Sequence, residues 1–132
     1  MSALSRMPAT PDGPVGILGF SMGASWGLWA ATRFPDQVAA VSAYYGSQDM
    51  DFAPATAKFQ GHFAEHDEFE SDDSVNYLEA QLRLTGHDVD FHRYPGTGHW
   101  FAESDRVAAF DPAAAALAWD RTTGFFHQHL DR

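Results

Sequence analysis

One serine in this sequence has the surroundings of a nucleophile. Residues 19–23 read Gly-Phe-Ser-Met-Gly and fit the pattern G-x-S-x-G, in which a sharp turn between a strand and a helix exposes the serine hydroxyl. An apolar strand pattern precedes Ser21 at 15–18, and an apolar helix pattern follows it at 24–31. We therefore predict that Ser21 is a nucleophile, and that a side chain at position 19 or 23 would collide with the neighbouring strand and helix. The amide N–H of Met22, at the helix N-terminus, would donate to a developing oxyanion.

A serine hydroxyl is a poor nucleophile at neutral pH, so Ser21 needs a base, and the base needs an acid that orients it. We predict that His99 is the base and Asp67 the acid. His99 lies in a loop between Gly98 and Trp100, and Asp67 lies just past the end of a predicted strand. The chain order Ser, Asp, His is the one that α/β-hydrolase topology produces.

Strands and helices alternate along the sequence in a way that would bring these three side chains together. We predict strands at 15–20, 38–45, 58–64 and 89–94, helices at 22–33, 71–86 and 111–130, a loop at 95–99, and one or two helical turns at 3–7. Such alternation indicates a parallel sheet, and the unbroken apolar run at 38–45 indicates a strand covered on both faces. Ligands bind outside the carboxyl ends of such strands, and Ser21, Asp67 and His99 each follow one of these ends.

Other histidines and acids compete for the same roles. Five histidines lie within strands or near helix ends, which favours structural or solvated side chains: His62, His87, His92, His127 and His129. A metal site would combine His62, His66 and Asp67, but the His-x₃-His spacing converges only on a helix, so we expect no metal. Four acids close to Asp67 are predicted to form a solvated face: Glu65, Glu68, Asp72 and Asp73.

Composition excludes several classes of function. The 132 residues are 45% hydrophobic and 14% aromatic, which is typical of one packed domain spanning 1–132. The net charge of −10 argues against nucleic acid or an anionic membrane as partner. Because the sequence has no cysteine, it has no disulfide, thiolate nucleophile or cysteine-based metal site. We find no signal-peptide pattern and no membrane-spanning run, and so expect a soluble cytoplasmic protein.

Four stretches of the chain resemble the dienelactone hydrolase family of α/β-hydrolases, and they lie at 15–23, 43–46, 61–69 and 94–101. The Ala-rich opening of the last helix through Trp119-Asp120-Arg121 is similar as well. The resemblance implies a hydrolase of small esters or lactones that forms an acyl-enzyme through Ser21, His99 and Asp67, without a cofactor.

Two residues depart from the family pattern. The type enzyme has a cysteine nucleophile where this sequence has Ser21. We still expect hydrolysis, but the substrate of the type enzyme is a weaker guide to the substrate of this chain. The type enzyme also has a substrate-binding arginine four residues after its catalytic histidine, and here that position is Glu103. A dienelactone carboxylate would be repelled by this residue, so we do not expect that substrate.

Length is a third departure, because the resemblance covers only the C-terminal part of the family domain. We therefore expect a truncated α/β-hydrolase of about four parallel strands with flanking helices. The early strands and the loop that supplies a second oxyanion N–H would be absent, and strand 15–20 would become an open edge. That edge predicts a homo-oligomer. It also leaves an alternative function, a non-catalytic domain that acts by association through the edge.

Overall fold

A computed structural model of the chain describes residues 13–130, and the helical turns predicted at 3–7 lie outside this range. The four strands and the three longer helices predicted from the sequence are all present. In chain order they are β1 (Val15–Phe20), α1 (Met22–Arg33), β2 (Val38–Tyr44), β3 (Lys58–His66), α2 (Asp72–Leu84), β4 (Val89–Gly98) and α3 (Pro112–Leu130). Within 13–130, no helix is long and apolar enough to cross a membrane.

The four strands form one parallel sheet in the order β1-β2-β3-β4. This confirms the prediction of an α/β fold with about four parallel strands. Six of the seven residues of β2 are buried, as expected for an apolar strand covered on both faces. Among the described strands, β1 and β4 lie at the edges of the sheet.

Helices cover both faces of this sheet. On one face α1 and α2 share a core, in which Leu28 and Ala31 of α1 join Val75 and Leu78 of α2. On the other face α3 lies against the sheet through Ala118, in a second cluster that is rich in tyrosine. Val75, Leu78 and Leu82 recur along α2 at the spacing that brings one face of a helix to the core, and all three are buried.

Two strands run further than the sequence predicts. β3 continues to His66, and β4 continues to Gly98, so the loop predicted at 95–99 is wrong except for its last residue. Pro95 is tolerated in β4 because an edge strand has a row of N–H groups that need no partner. The pairing of β3 with β4 shifts register between Ala64 and His66. These extensions carry the chain of both strands up to Asp67 and His99.

Candidate active site

Ser21 occupies the turn between β1 and α1, as its sequence pattern predicts. Its backbone has φ 55° and ψ −118°, a positive φ that non-glycine residues rarely adopt. The Ser21 N–H donates to the carbonyl of Tyr44 at 2.9 Å, which ties the turn to the end of β2. Met22 is the first residue of α1, and the first N–H groups of a helix have no partner inside the helix. The turn therefore combines an accessible hydroxyl with an amide at the positive end of a helix.

The glycines around this turn differ in what they accommodate. A Cβ at Gly19 would lie 2.5 Å from the carbonyl oxygen of Gly23, so the expected collision is confirmed there. At Gly23 the expectation is wrong, because a Cβ would meet nothing within 4 Å. The close approach is instead made from the end of β2, where a Cβ at Gly46 would lie 2.3 Å from the carbonyl oxygen of Ser21.

The structure brings together the three side chains that the sequence nominates. Ser21 Oγ lies 2.9 Å from His99 Nε2. His99 Nδ1 lies 2.9 and 2.8 Å from the two carboxylate oxygens of Asp67. A carboxylate at Nδ1 favours the neutral tautomer with the proton on that nitrogen. The lone pair of Nε2 then faces Ser21 and can accept its proton.

Asp67 is held firmly behind His99. Only 3% of its side chain and 5% of the His99 side chain are exposed. Its Oδ1 also accepts the backbone N–H groups of Phe69 at 2.8 Å and Glu70 at 3.0 Å. The carboxylate is thus oriented by its own loop before it meets the imidazole, and water has little access to compete for either partner.

The competing acids point elsewhere. Glu65 accepts the backbone N–H of Gly96 at 2.8 Å, and Asp72 pairs with Arg93 at 3.1 Å. Glu68 and Asp73 are exposed. Within 13–130, Asp67 is the acid in contact with His99.

Three of the competing histidines are engaged away from Ser21. His62 is fully buried, with Nδ1 2.7 Å from the Tyr94 hydroxyl and Nε2 2.8 Å from Gln60 Oε1. Burial lowers the pKa of His62 to about 3, so it stays neutral and has no free nitrogen for a substrate. His92 pairs with Asp90 at 2.9 Å. His87 contacts the carbonyl of Phe52 at 2.7 Å.

The metal set considered for the sequence does not assemble. His66 is exposed and pairs with Glu65 at 3.2 Å, while His62 is engaged inside the sheet. Over the described range, no group of three or more His, Cys, Asp or Glu side chains is arranged to hold a metal ion.

Sequence reasoning missed a hydrogen-bonded pair beside His99. The Tyr45 hydroxyl donates to Glu103 Oε2 at 2.6 Å, and the Tyr45 ring lies 4.8 Å from the His99 ring. Burial and the nearby Glu103 carboxylate raise the pKa of Tyr45 well above its ordinary value, so the hydroxyl remains a donor. The pair ties the segment after His99 to the end of β2. The only sequence signal was a tyrosine immediately before Gly46.

Two more aromatic rings pack against the His99 ring. The rings of Phe69 and Trp100 each lie 4.8 Å from the imidazole, at angles of 63° and 81°. The guanidinium of Arg106 lies 4.3 Å from the centre of the Trp100 ring. A groove of about 500 Å³ opens here, with His99, Phe69, Trp100, Arg106 and Val107 in its walls.

Comparisons with known proteins agree with the resemblance found in the sequence. The sequence model of the dienelactone hydrolase family matches residues 1–130. The protein named usf of Aquifex pyrophilus is 33% identical over 119 residues, which are 88% of this chain and 52% of that protein. A protein of Aquifex aeolicus with the provisional name carboxymethylenebutenolidase is 32% identical over 119 residues, with the same two coverages of 88% and 52%.

Solved structures show the same fold. A crystal structure from Klebsiella pneumoniae, of a protein provisionally named a dienelactone hydrolase, superposes with a TM-score of 0.77 at 25% identity. The match covers 86% of this chain and 52% of that one. The chain thus spans about half the length of the curated relatives and of the solved structure that it matches.

Proposed function

Because the chain belongs to the dienelactone hydrolase family, we propose that it hydrolyses carboxylic esters or lactones with Ser21 as the nucleophile. The observation that carries this proposal is the pair of hydrogen bonds from Ser21 to His99 and from His99 to Asp67. A buried histidine between a hydroxyl and a carboxylate is the arrangement that activates serine. The provisional name carboxymethylenebutenolidase of the Aquifex aeolicus relative supports the same class of reaction.

The proposed first half-reaction forms an acyl-enzyme. Ser21 Oγ attacks the carbonyl carbon while His99 Nε2 takes the hydroxyl proton, and the carbonyl oxygen becomes an oxyanion. The Met22 N–H donates to that oxyanion; losing one such donor typically costs roughly 10²–10³ in rate. The intermediate collapses as the bond to the alcohol oxygen breaks, and His99 returns the proton to that oxygen.

The second half-reaction releases the acid. His99 takes a proton from a water molecule, the hydroxide adds to the acyl carbon, and the bond to Ser21 Oγ breaks as the proton returns to the serine. Asp67 keeps its charge throughout and stabilises the transient imidazolium. No redox step occurs and no cofactor is consumed.

Labelling with a fluorophosphonate probe, followed by peptide mapping, tests the nucleophile. We expect the label on Ser21, and its loss in Ser21→Ala together with the hydrolysis of p-nitrophenyl acetate. Ser25→Ala is a matched control, because the Ser25 hydroxyl lies one helical turn away and donates to the carbonyl of Ser47 at 2.7 Å. Label on another serine, or turnover of the ester by folded Ser21→Ala, would contradict the proposal.

A further inference from the structure

We propose that the groove beside His99 is the subsite for the leaving alcohol, and that it selects flat, uncharged aromatic alcohols. The groove has a volume of about 500 Å³, within the usual range for small-molecule sites. This inference rests on the proposed hydrolase function and names the substrate class of the same site.

The position of the groove follows from the path of the proton. His99 Nε2 must deliver its proton to the oxygen of the departing alcohol, so that alcohol has to lie on the His99 side of the breaking bond. The carbonyl oxygen lies on the other side of the reacting carbon, toward the Met22 N–H. Among the three site residues, His99 is the one that lines the groove, so the part of an alcohol that extends past His99 enters the groove while its oxygen stays near Nε2.

Part of the groove wall is apolar and exposed in the described structure. Phe69 is 61% exposed and Val107 is 86% exposed, although both are large apolar side chains. The Phe69 and Trp100 rings lie 5.3 Å apart at 53°. The aromatic ring of a bound alcohol can pack on these two rings through stacked or edge-to-face contacts. A flat aromatic group therefore fits these walls better than a branched aliphatic one.

Charge in the groove favours a neutral occupant. Arg106 brings a cation, but its guanidinium lies against the Trp100 ring, where it fixes the indole through a cation–π contact. Glu68 lines the same groove with an opposite charge. With one charge of each sign in its wall, the groove has no excess charge that would favour an ionised alcohol, and the apolar part of the wall distinguishes neutral ones.

The test compares two acetate esters whose alcohols have similar acidity, 2-naphthyl acetate and hexafluoroisopropyl acetate. Because the acyl group and the leaving-group acidity are matched, the ratio of their kcat/KM values reports recognition of the alcohol. We expect the chain to favour the naphthyl ester by about tenfold or more, the lower range for one apolar group in a pocket. An ester of 6-hydroxy-2-naphthoate adds a carboxylate to the same ring and should be no better.

Substitutions in the groove wall test whether the preference for the naphthyl ester arises there. Phe69→Ala and Val107→Ser should each lower the ratio several-fold, and the ratio cancels any general effect of Phe69 on His99. Trp119→Ala is the control, because Trp119 is 52% exposed on α3 and outside the groove; it should leave the ratio unchanged.

Three results would overturn the assignment of the groove. They are a wild-type ratio near one, a ratio that neither Phe69→Ala nor Val107→Ser lowers, and a preference for the carboxylated ring. Each of them leaves the proposed hydrolase function standing. Hydrolysis of neither ester by the folded chain, with no fluorophosphonate label, would instead overturn the proposed function and the groove with it.

Discussion

We expect the buried histidine inside the sheet to make the stability of this chain sensitive to acid. His62 is 0% exposed, and both of its ring nitrogens have partners at 2.7 and 2.8 Å. Burial, with a smaller contribution from the charge of His92, lowers the pKa of His62 from 6.5 to about 3. We therefore predict that His62→Gln, which cannot titrate, makes the unfolding free energy less dependent on pH in the acid range.

Between pH 6.5 and 3 the unfolded chain binds a proton at His62 that the native chain does not, so native stability falls as the pH drops through this window. Above pH 6.5 His62 is neutral in both the native and the unfolded chain, so its titration costs no stability there. One pKa unit corresponds to about 1.4 kcal/mol, so at pH 4.5, two units below the ordinary value, His62 alone should destabilise the native chain by about 3 kcal/mol.

Urea unfolding followed by circular dichroism at pH 7 and pH 4.5 measures this effect. Wild type should lose about 3 kcal/mol more between the two pH values than His62→Gln does. Titrating carboxylates contribute equally to both proteins and cancel in the difference. His66→Gln is the control, since His66 lies on the same strand with 77% of its side chain exposed; it should retain the wild-type dependence to within about 0.5 kcal/mol.

The comparison separates the charge of His62 from its packing. His62→Gln is expected to lower stability at both pH values, because it disturbs the contacts with Tyr94 and Gln60. The prediction therefore concerns only the change in unfolding free energy between pH 7 and pH 4.5. Parallel pH curves for wild type and His62→Gln would show that the native chain accepts a proton at His62, and would refute the reasoning.

Three further predictions concern the site and the sheet edge. Asp67→Asn should lower kcat for p-nitrophenyl acetate by roughly 10³–10⁴-fold, because an amide favours the wrong tautomer of His99; an unchanged kcat would contradict the role of Asp67. Tyr45→Phe removes the donor to Glu103 and should lower Tm by about 4 °C, for about 1 kcal/mol at a partly exposed charge; an unchanged Tm in calorimetry would mean that the bond contributes nothing. Sedimentation over a wide concentration range should show self-association through β1, whose outer edge has no strand partner within 13–130; a monomer at every concentration would show that this edge is protected.

The sequence alone was sufficient to predict that Ser21, Asp67 and His99 lie together at the carboxyl ends of the strands. Parallel strands with flanking helices put all their carboxyl ends on one side, so knowing where three strands end is enough to group the residues that follow them. The distances of 2.9 and 2.8 Å depend on more than this. They need β3 and β4 to run beyond their predicted ends, and the apolar pattern stops before those extensions begin.

Contacts between residues far apart in sequence were beyond such reasoning. Tyr45 and Glu103 are 58 residues apart, and neither has a local pattern that names the other. The error at Gly23 has the same origin. Which glycine is forced to be small depends on the strand that comes closest, and here Gly46 at the end of β2 makes that contact with Ser21. Local sequence indicates the turn, but tertiary packing selects the residue that must lack a side chain.

Backbone strain is concentrated at the candidate site. Within the described range, the non-glycine residues with positive φ are Ser21, Tyr45 and Trp100, at 55°, 38° and 69°. Ser21 hydrogen bonds to His99, Tyr45 packs on its ring, and Trp100 follows it in the chain. Each strained residue costs on the order of 1–3 kcal/mol, a large share of the roughly 5–15 kcal/mol that stabilises a typical domain.

Such strain persists only where the surrounding structure imposes it. The Ser21 N–H is held by the Tyr44 carbonyl, the Tyr45 N–H by the His62 carbonyl, and the Glu103 N–H by the Trp100 carbonyl. Two of these three bonds anchor the turns to β2 and β3, the buried centre of the sheet. The conformational preferences of these three residues alone would give each a negative φ. Positive φ at all three, around one imidazole, is what we expect of an arrangement selected for chemistry rather than for folding.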